Sequence, residues 1–493
     1  MSSTTGMPYG DPIMNELRES ILFGTTADKL AYLENTKSAI REALAKYGRG
    51  PDEAAPFRAY AGLIDGMGRS LADSEVNFFD YDGSLVAAYT LEELAALEAL
   101  PEAPVHEGLV FQGWSLSLEE LKAGGRPAEV GAVYTTEDGV TRLYLNAGNG
   151  TPTDLHLRFI QSAADGLSVD WGDGSAPETY PMNGGVDLAH TYAAPGDYVI
   201  SLSPAPDCEV ILGDGEEFNV LNGGESCCAP SCGLYRVNMG AGIKIGKSAF
   251  AGCSFLQSIS MPLGLAEVGE RAFVNCFGLR CAVMPPGLTS IGFYAFGQCF
   301  SLRRVSIPNC SIDDYAFTTC YTLDPIYLPE GLTRISNQCF VYCCCLTRLS
   351  LPESLTEIGT SAFGGCGVLR ELRLPDSVRL VDYGAFSYCS SLSQLELGSG
   401  LVQLGNEAFC NCPSLYELYI PASVESIGAY AFAATGSGLR RVFCLSETPP
   451  VLGDYSVFDD SSFDLEIFVP AASLEAYKSA EFWSSMAHKI KAL

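Results

Sequence analysis

The sequence predicts a multidomain α+β protein: N-terminal helices, a β-sandwich, and a long β-solenoid built from a 23-residue repeat and closed by a C-terminal cap. Three observations lead there. A phrase close to A-F-x-x-C-x-x-L, followed by a strand pattern that in most copies ends in Pro, recurs nine times in the C-terminal half, with departures in the fifth and ninth copies. Short runs of apolar–polar alternation between Gly-rich turns fill residues 143–213, as in an antiparallel sandwich. Apolar residues at three-, four- and seven-residue steps (Leu17, Ile21, Leu30, Leu33, Ile40, Leu44, Tyr47) mark helices near the start. At 493 residues the chain exceeds one ordinary core. The segments read as 1–74 (helical anchor or oligomerisation segment), 75–142 (small α/β module), 143–217 (sandwich), 218–444 (solenoid) and 445–493 (cap).

The repeat is anchored by Phe250, Phe273, Phe296, Phe317, Phe340, Phe363, Phe386, Phe409 and Phe432, spaced by 23 residues except for one step of 21. A cysteine stands three residues after each phenylalanine, from Cys253 to Cys412, until Thr435 replaces it in the ninth copy. One such coil cannot bury its own apolar face, whereas stacked coils build a continuous core. The pattern resembles the BspA-like (Treponema-type) leucine-rich repeat over about 240–445, with Cys339 in place of Ala and the 21-residue step as departures. Residues 218–248 read as a degenerate first coil. The segments CLSETPPVL and LEIFVPAASLEAYKSAEFW resemble the closing segment of such arrays, where a short helix would cover the last coil.

In 143–213 the phrases W-G-D-G, H-T-Y and P-G-D-Y resemble a polycystic-kidney-disease (PKD) domain. The resemblance implies that Trp171 and Tyr192 pack between sheets, and that the domain serves as a spacer or adhesion module. Asp170 and Asp173 are expected to stabilise a turn rather than hold calcium. The phrase LPEAPVHEGLVFQGWS resembles the opening of internalin-type B-repeats, which implies a β-grasp-like unit. The order helix–FFDYDG–helix–FQGW resembles a module at the front of phage structural proteins.

The formal net charge of −30 opposes nucleic acid and anionic lipid. No apolar run reaches 18 residues, so no membrane insertion is expected. The opening MSSTTGMPYGDPIMNELRES has no basic stretch followed by an apolar one, so it does not read as a secretory signal. Synthesis in the cytoplasm follows as the expectation, with the cysteines reduced. The clusters Cys227, Cys228, Cys232 and Cys339, Cys343, Cys344, Cys345 lack the paired spacing of a zinc site. The Cys253–Cys412 column reads as buried, inert thiols. The histidines His106, His156, His190 and His488 fall in separate segments, and the sequence contains no G-x-S-x-G, P-loop or H-E-x-x-H. A non-enzyme without cofactor is expected.

The strand alternation supplies the candidate site. In L-x-x-[ILV]-x-[ILM] the named residues point inward, so the intervening ones form an exposed sheet face. That face carries Arg304, Tyr327, Arg348, Glu371, Arg373, Glu396, Glu417, Tyr419 and Arg441. Arginine and tyrosine among acids suit recognition of a host-surface protein or glycan; cross-coil charge pairing for solubility accounts for the same composition. The expected function is non-enzymatic recognition, first as an exposed phage or prophage virion component held to other virion proteins through N-terminal helices that also allow a homo-oligomer. The alternatives are a bacterial cell-surface adhesin of the BspA type and an accessory binding domain of an enzyme system.

Overall fold

The computed structural model describes residues 74–148, 153–213, 221–222, 233–436 and 438–493. The helices expected within 1–74 and the Cys227–Cys232 cluster lie outside them. Residues Glu75–Leu493 form one compact unit.

The first element is a four-stranded sheet of β1 (Val76–Phe79), β2 (Leu85–Tyr89), β3 (Leu109–Trp114) and β4 (Ala128–Thr136), in the order β2-β1-β4-β3. Two short helices, α1 (Leu91–Ala96) and α2 (Leu118–Gly124), cross one face. Each opens on a capping box, Thr90 with Glu93 and Ser117 with Glu120, which satisfies free N–H groups at both helix starts. Alternation along β1 and β4 divides their side chains. Val76, Phe78, Val130, Ala132 and Tyr134 pack under the helices with Leu94, Trp114 and Leu121. Phe79 and Val133 point the other way, into a separate cluster with Cys281 and Val283 of the solenoid.

Next come β5 (Thr141–Ala147), β6 (Asp154–Gln161), β7 (Leu167–Asp170), β8 (Gly184–Thr191), β9 (Gly196–Pro204), β10 (Val210–Leu212) and β11 (Leu221–Asn222). They join two sheets that continue into the solenoid. On one side β5 pairs antiparallel with β9 and with β12 (Leu234–Asn238), and β12 pairs parallel with Ser258–Ser260. On the other, β10 pairs antiparallel with β6 and parallel with β13 (Ile243–Ile245), which leads on to Glu267–Val268. One hydrophobic core runs from Leu143 to Ile490 without a break. The sequence boundary at 142/143 falls inside β5, and the strands of 141–213 form one end of the same stack as the coils. This contact explains the degenerate first coil: Leu234 and Val237 lie along the antiparallel strand β5, and Ile245 along the parallel strand β10, instead of a preceding coil.

Each repeat contributes an outer strand, a two-residue inner strand and the A-F segment. The phenylalanine rings stack in a column, from Phe250 over Phe273 (5.3 Å) through Phe409 over Phe432 (5.5 Å), nearly parallel throughout. Phe458 extends it by one more rung, at 5.9 Å. The 21-residue step leaves this column intact, with Phe296 and Phe317 at 5.2 Å. The backbone visits the left-handed region two residues before and two residues after the phenylalanine in nearly every coil, as at Tyr294 (φ 57°) and Gln298 (φ 60°). Glycine would be cheaper there, yet side chains occupy most of these positions.

The conserved spacing of the cysteines has a specific use. From Cys276 on, each thiol of the column donates to the carbonyl of the phenylalanine one coil back: Cys276 to Phe250 at 3.1 Å, Cys299 to Phe273 at 3.1 Å, and so on to Cys412 and Phe386 at 3.4 Å. Burial pushes the Cys299, Cys343 and Cys389 thiols well up, so the ladder stays protonated and donating. Thr435 occupies this rung in the ninth coil, is fully buried, and its hydroxyl has no partner among the described residues. Thr435→Cys is therefore expected to stabilise the fold by about 1 kcal/mol, relieving an unsatisfied hydroxyl; the urea midpoint would move up, and an unchanged midpoint would refute this account.

The C-terminal segment closes the stack. Glu466–Val469 pairs parallel with Arg441–Cys444, and Ile490–Ala492 pairs with Glu466–Val469. α3 (Leu474–Ser479) carries Tyr477, which with Trp483 is fully buried. Their polar atoms are satisfied by the Ser446 carbonyl (2.9 Å) and the Pro450 carbonyl (2.8 Å). No helix among the described residues is long and apolar enough to cross a membrane.

Candidate recognition surface

Strand register places the outward residues in columns: Cys281 beside Arg304, Glu371 beside Gln394, Arg373 beside Glu396, Glu417 beside Arg441, Tyr419 beside Phe443. Alternation predicts one open face for all of them. The structure instead divides the face in two.

The N-terminal half is covered by the sheet of β1 and β4. Arg304 is half-buried, and its Nη1 donates to Glu129 Oε2 at 2.7 Å. Glu129 is buried and also accepts from Asn77 Nδ2 at 2.7 Å. Burial raises the Glu129 carboxyl above its ordinary range; Arg304, then Asn77, pull it back only in part. Gly131 lets β4 come this close, since a Cβ there would sit 2.5 Å from Val283. At the rim, Arg126 donates to the Leu328 carbonyl at 2.7 Å and pairs with Glu330 at 2.8 Å. Tyr327 and Arg348 are half-buried beside this contact, and burial pushes the Tyr327 hydroxyl up to about 12. Arg304 is thus a structural latch rather than a free contact residue. Its guanidinium has a carboxylate 2.7 Å away and 175 positions back in the chain, which strand alternation alone cannot reveal. A signal was present nonetheless: Cys281 and Val283 make both outward positions of one coil apolar, where every other coil carries at least one residue with a polar group.

The C-terminal half is open. Glu371, Arg373, Gln394, Glu396, Tyr419 and Arg441 are exposed, and Glu417 and Phe443 are partly so. Charges pair across rungs: Arg373 with Glu396 at 3.9 Å, Arg441 with Glu417 at 2.8 Å, and Lys491 with Glu466. Beside them runs a second aromatic ladder, this one on the surface. Tyr419, Phe443 and Phe468 stack at 4.6 and 5.0 Å, with interplanar angles of 8° and 13°. Phe468 escapes the repeat reading because LEIFVP has one residue fewer than the L-x-x-[ILV]-x-[ILM]-P of the array, though its I-x-V-P end is the same.

The remaining candidates resolve into structural roles. Asp170 Oδ1 accepts from Gly172 N at 2.9 Å, and Asp173 Oδ1 from Ser175 N at 3.0 Å, both closing turns. His190 lies against Trp171 (4.5 Å, 8°) and bonds Asp173 Oδ2 at 2.8 Å; the Ser175 hydrogen bonds first, and His190 after them, hold the Asp173 carboxyl down to about 2. Tyr192 and Trp171 are buried together, the Tyr192 hydroxyl donating to the Trp171 carbonyl at 2.8 Å. His106 and His156 pair with different aspartates, Asp80 at 2.6 Å and Asp187 at 2.8 Å. Among the described residues, no three histidine, cysteine or acidic side chains gather as a metal site.

Comparison with known proteins bears on the array. Residues 225–343 and 310–440 match the BspA type leucine rich repeat region, in six copies. No curated protein matches the chain. Similar solved structures include a leucine-rich repeat protein from Bacteroides ovatus (26% identity, 54% of this chain and 79% of that one, TM-score 0.34). A leucine rich repeat protein of T. pallidum shares 29% identity over 38% of this chain and 86% of that one, with TM-score 0.29. A leucine rich cell surface protein from Faecalibacterium prausnitzii shares 20% over 56% and 93%, with TM-score 0.27. Residues 225–440, less than half of the chain, are thus similar to the BspA type leucine rich repeat region.

Proposed function

We propose that the protein is a non-enzymatic recognition protein of the BspA type, acting at a bacterial cell surface and binding a host-surface protein or glycan through the open half of its sheet face. One observation carries this reading: the two halves of a single face differ in occupancy. The N-terminal half already holds a folded partner, its own α/β sheet, by a buried ion pair and a small apolar cluster. The C-terminal half has the same rigid backbone, paired charges and a stacked aromatic stripe, and no element of the described chain covers it. Exposed aromatic rings with a polar surround are the composition of protein and glycan contact surfaces. The BspA-type match favours a cell surface over a virion, and the virion reading finds no support in the comparisons.

Two measurements test the proposal. Intact producing cells, probed with antibody and shaved with protease, are expected to display the protein. Purified protein is expected to bind host cells or their matrix glycoproteins saturably, and Tyr419→Ala with Phe443→Ala to weaken that binding at least about tenfold, as loss of an aromatic anchor does. Protein confined to the cytoplasm, or binding that the double variant leaves unchanged, would sink the proposal.

A further inference from the structure

Arg280 and Arg303 occupy the same position on neighbouring coils. Arg303 N donates to the Arg280 carbonyl at 2.9 Å, so the two side chains leave adjacent coils one rung apart, each just before its outer strand. Both are exposed, and neither makes an ion pair among the described residues. Arg334, Arg373 and Arg441, at other positions of their coils, pair with Glu357, Glu396 and Glu417; what sets Arg280 and Arg303 apart is that they stand on neighbouring coils at the same position. Like charges held on adjacent rungs repel one another.

The pair borders a cleft of about 700 Å³ between the solenoid and the β1–β2 turn. Arg304, Thr322, Asp324, Cys345 and the turn residues Asp82, Gly83 and Ser84 complete its lining. Most of those polar groups are engaged. Arg304 is turned to Glu129. The Thr322 hydroxyl donates to the Phe300 and Leu302 carbonyls. Asp82 accepts from Ser84, and Asp324 from Thr347 and the Arg348 N–H. The donors left over are the guanidiniums of Arg280 and Arg303, a planar pair suited to an oxyanion. Two carboxylates in the same wall, on a chain of net charge −30, disfavour a dianion or a polyanion.

We infer that this cleft binds one carboxylate carried by an otherwise neutral small ligand, with Arg280 and Arg303 as its shared donors. The carboxylate belongs to an acidic sugar or to a peptide C-terminus. The site is separate from the aromatic stripe and does not rest on the adhesion reading.

The experiment is calorimetric titration of the full chain at neutral pH and low salt with N-acetylneuraminic acid, with N-acetylalanine and with inorganic phosphate. At least one carboxylate is expected to saturate one site more tightly than phosphate, and the one that does identifies the source. R280Q/R303Q is expected to weaken that binding at least about tenfold. The same double variant, without ligand, is expected to melt no lower than the parent, because it removes a repulsion. Four results would each overturn the inference: no saturable carboxylate, phosphate binding more tightly, unchanged binding by the variant, or a lower melting temperature for it.

Discussion

Arg304→Ala is expected to cost on the order of 3–5 kcal/mol, the range for breaking a buried ion pair on one side. The cost comes from Glu129, which stays buried beside Phe79 and Val133 with only Asn77 to satisfy it. The loss should be local. Hydrogen exchange is expected to quicken across residues 76–136, while the phenylalanine column from Phe250 to Phe432 keeps its protection. Acidity supplies a second signature. Burial already lifts the Glu129 carboxyl, with Arg304 its main counterweight, so the variant lifts it further. A carboxyl raised on folding binds its proton more tightly in the folded state. Its contribution is present in full below the ordinary carboxylate pKa and is lost as pH rises through the raised value. The Arg304→Ala deficit should therefore be largest at neutral pH and shrink on acidification. Replacing both partners, Glu129→Leu with Arg304→Met, is expected to restore most of the loss, since a packed apolar pair carries no desolvation cost. A deficit in Arg304→Ala that does not change with pH would refute the latch.

Phe340→Ala should be comparably severe, about 3–5 kcal/mol for a fully buried ring. Phe340 lies between Phe317 at 5.4 Å and Phe363 at 5.3 Å, and its carbonyl accepts the Cys366 thiol. Truncation opens a cavity against two coils at once. In an array whose units contact only their neighbours, such a gap weakens the coupling between its two sides. Urea unfolding followed by circular dichroism is expected to show a lower midpoint and a broader transition. Phe340→Leu, which keeps much of the volume, should cost less than about 1.5 kcal/mol. A loss under about 1 kcal/mol for Phe340→Ala would mean that the column is not what holds the coils together.

The array was legible because every coil meets the same demand. Phe296, Cys299, Leu302, Val305 and Ile307 occupy equivalent places in a stack that buries each of them, so periodicity and burial coincide. The sheet columns followed from alternation alone, and the register agrees with them at Glu371 and Gln394 or Tyr419 and Phe443. Alternation tells which way a side chain points, not what it meets. Glu129 finds Arg304 across 175 residues, and nothing in either local pattern encodes that meeting. The left-handed backbone at Tyr294 and Gln298 escaped for the opposite reason: it repeats faithfully, but without the glycines that would announce it. The continuity of β5 with β12 was hidden because an antiparallel strand and a coil strand can present the same apolar face, and composition does not distinguish them.

That continuity also governs how far the structure can grow. A stack of identical rungs offers, at each end, a row of unpaired backbone groups that another chain could extend, the usual route to fibres. Here the first coils give their hydrogen bonds to β5 and β10, and the last outer strand gives its own to the cap. Among the described residues the outermost strands left over include β7, of four residues, Val451–Leu452, of two, Ile490–Ala492, of three and carrying Lys491, and β8, of eight and carrying Asp187. Borders that are short or carry charge are poor templates. Among the described residues the array thus has a closing element at each end, which keeps a highly repetitive sequence from adding rungs along its own axis.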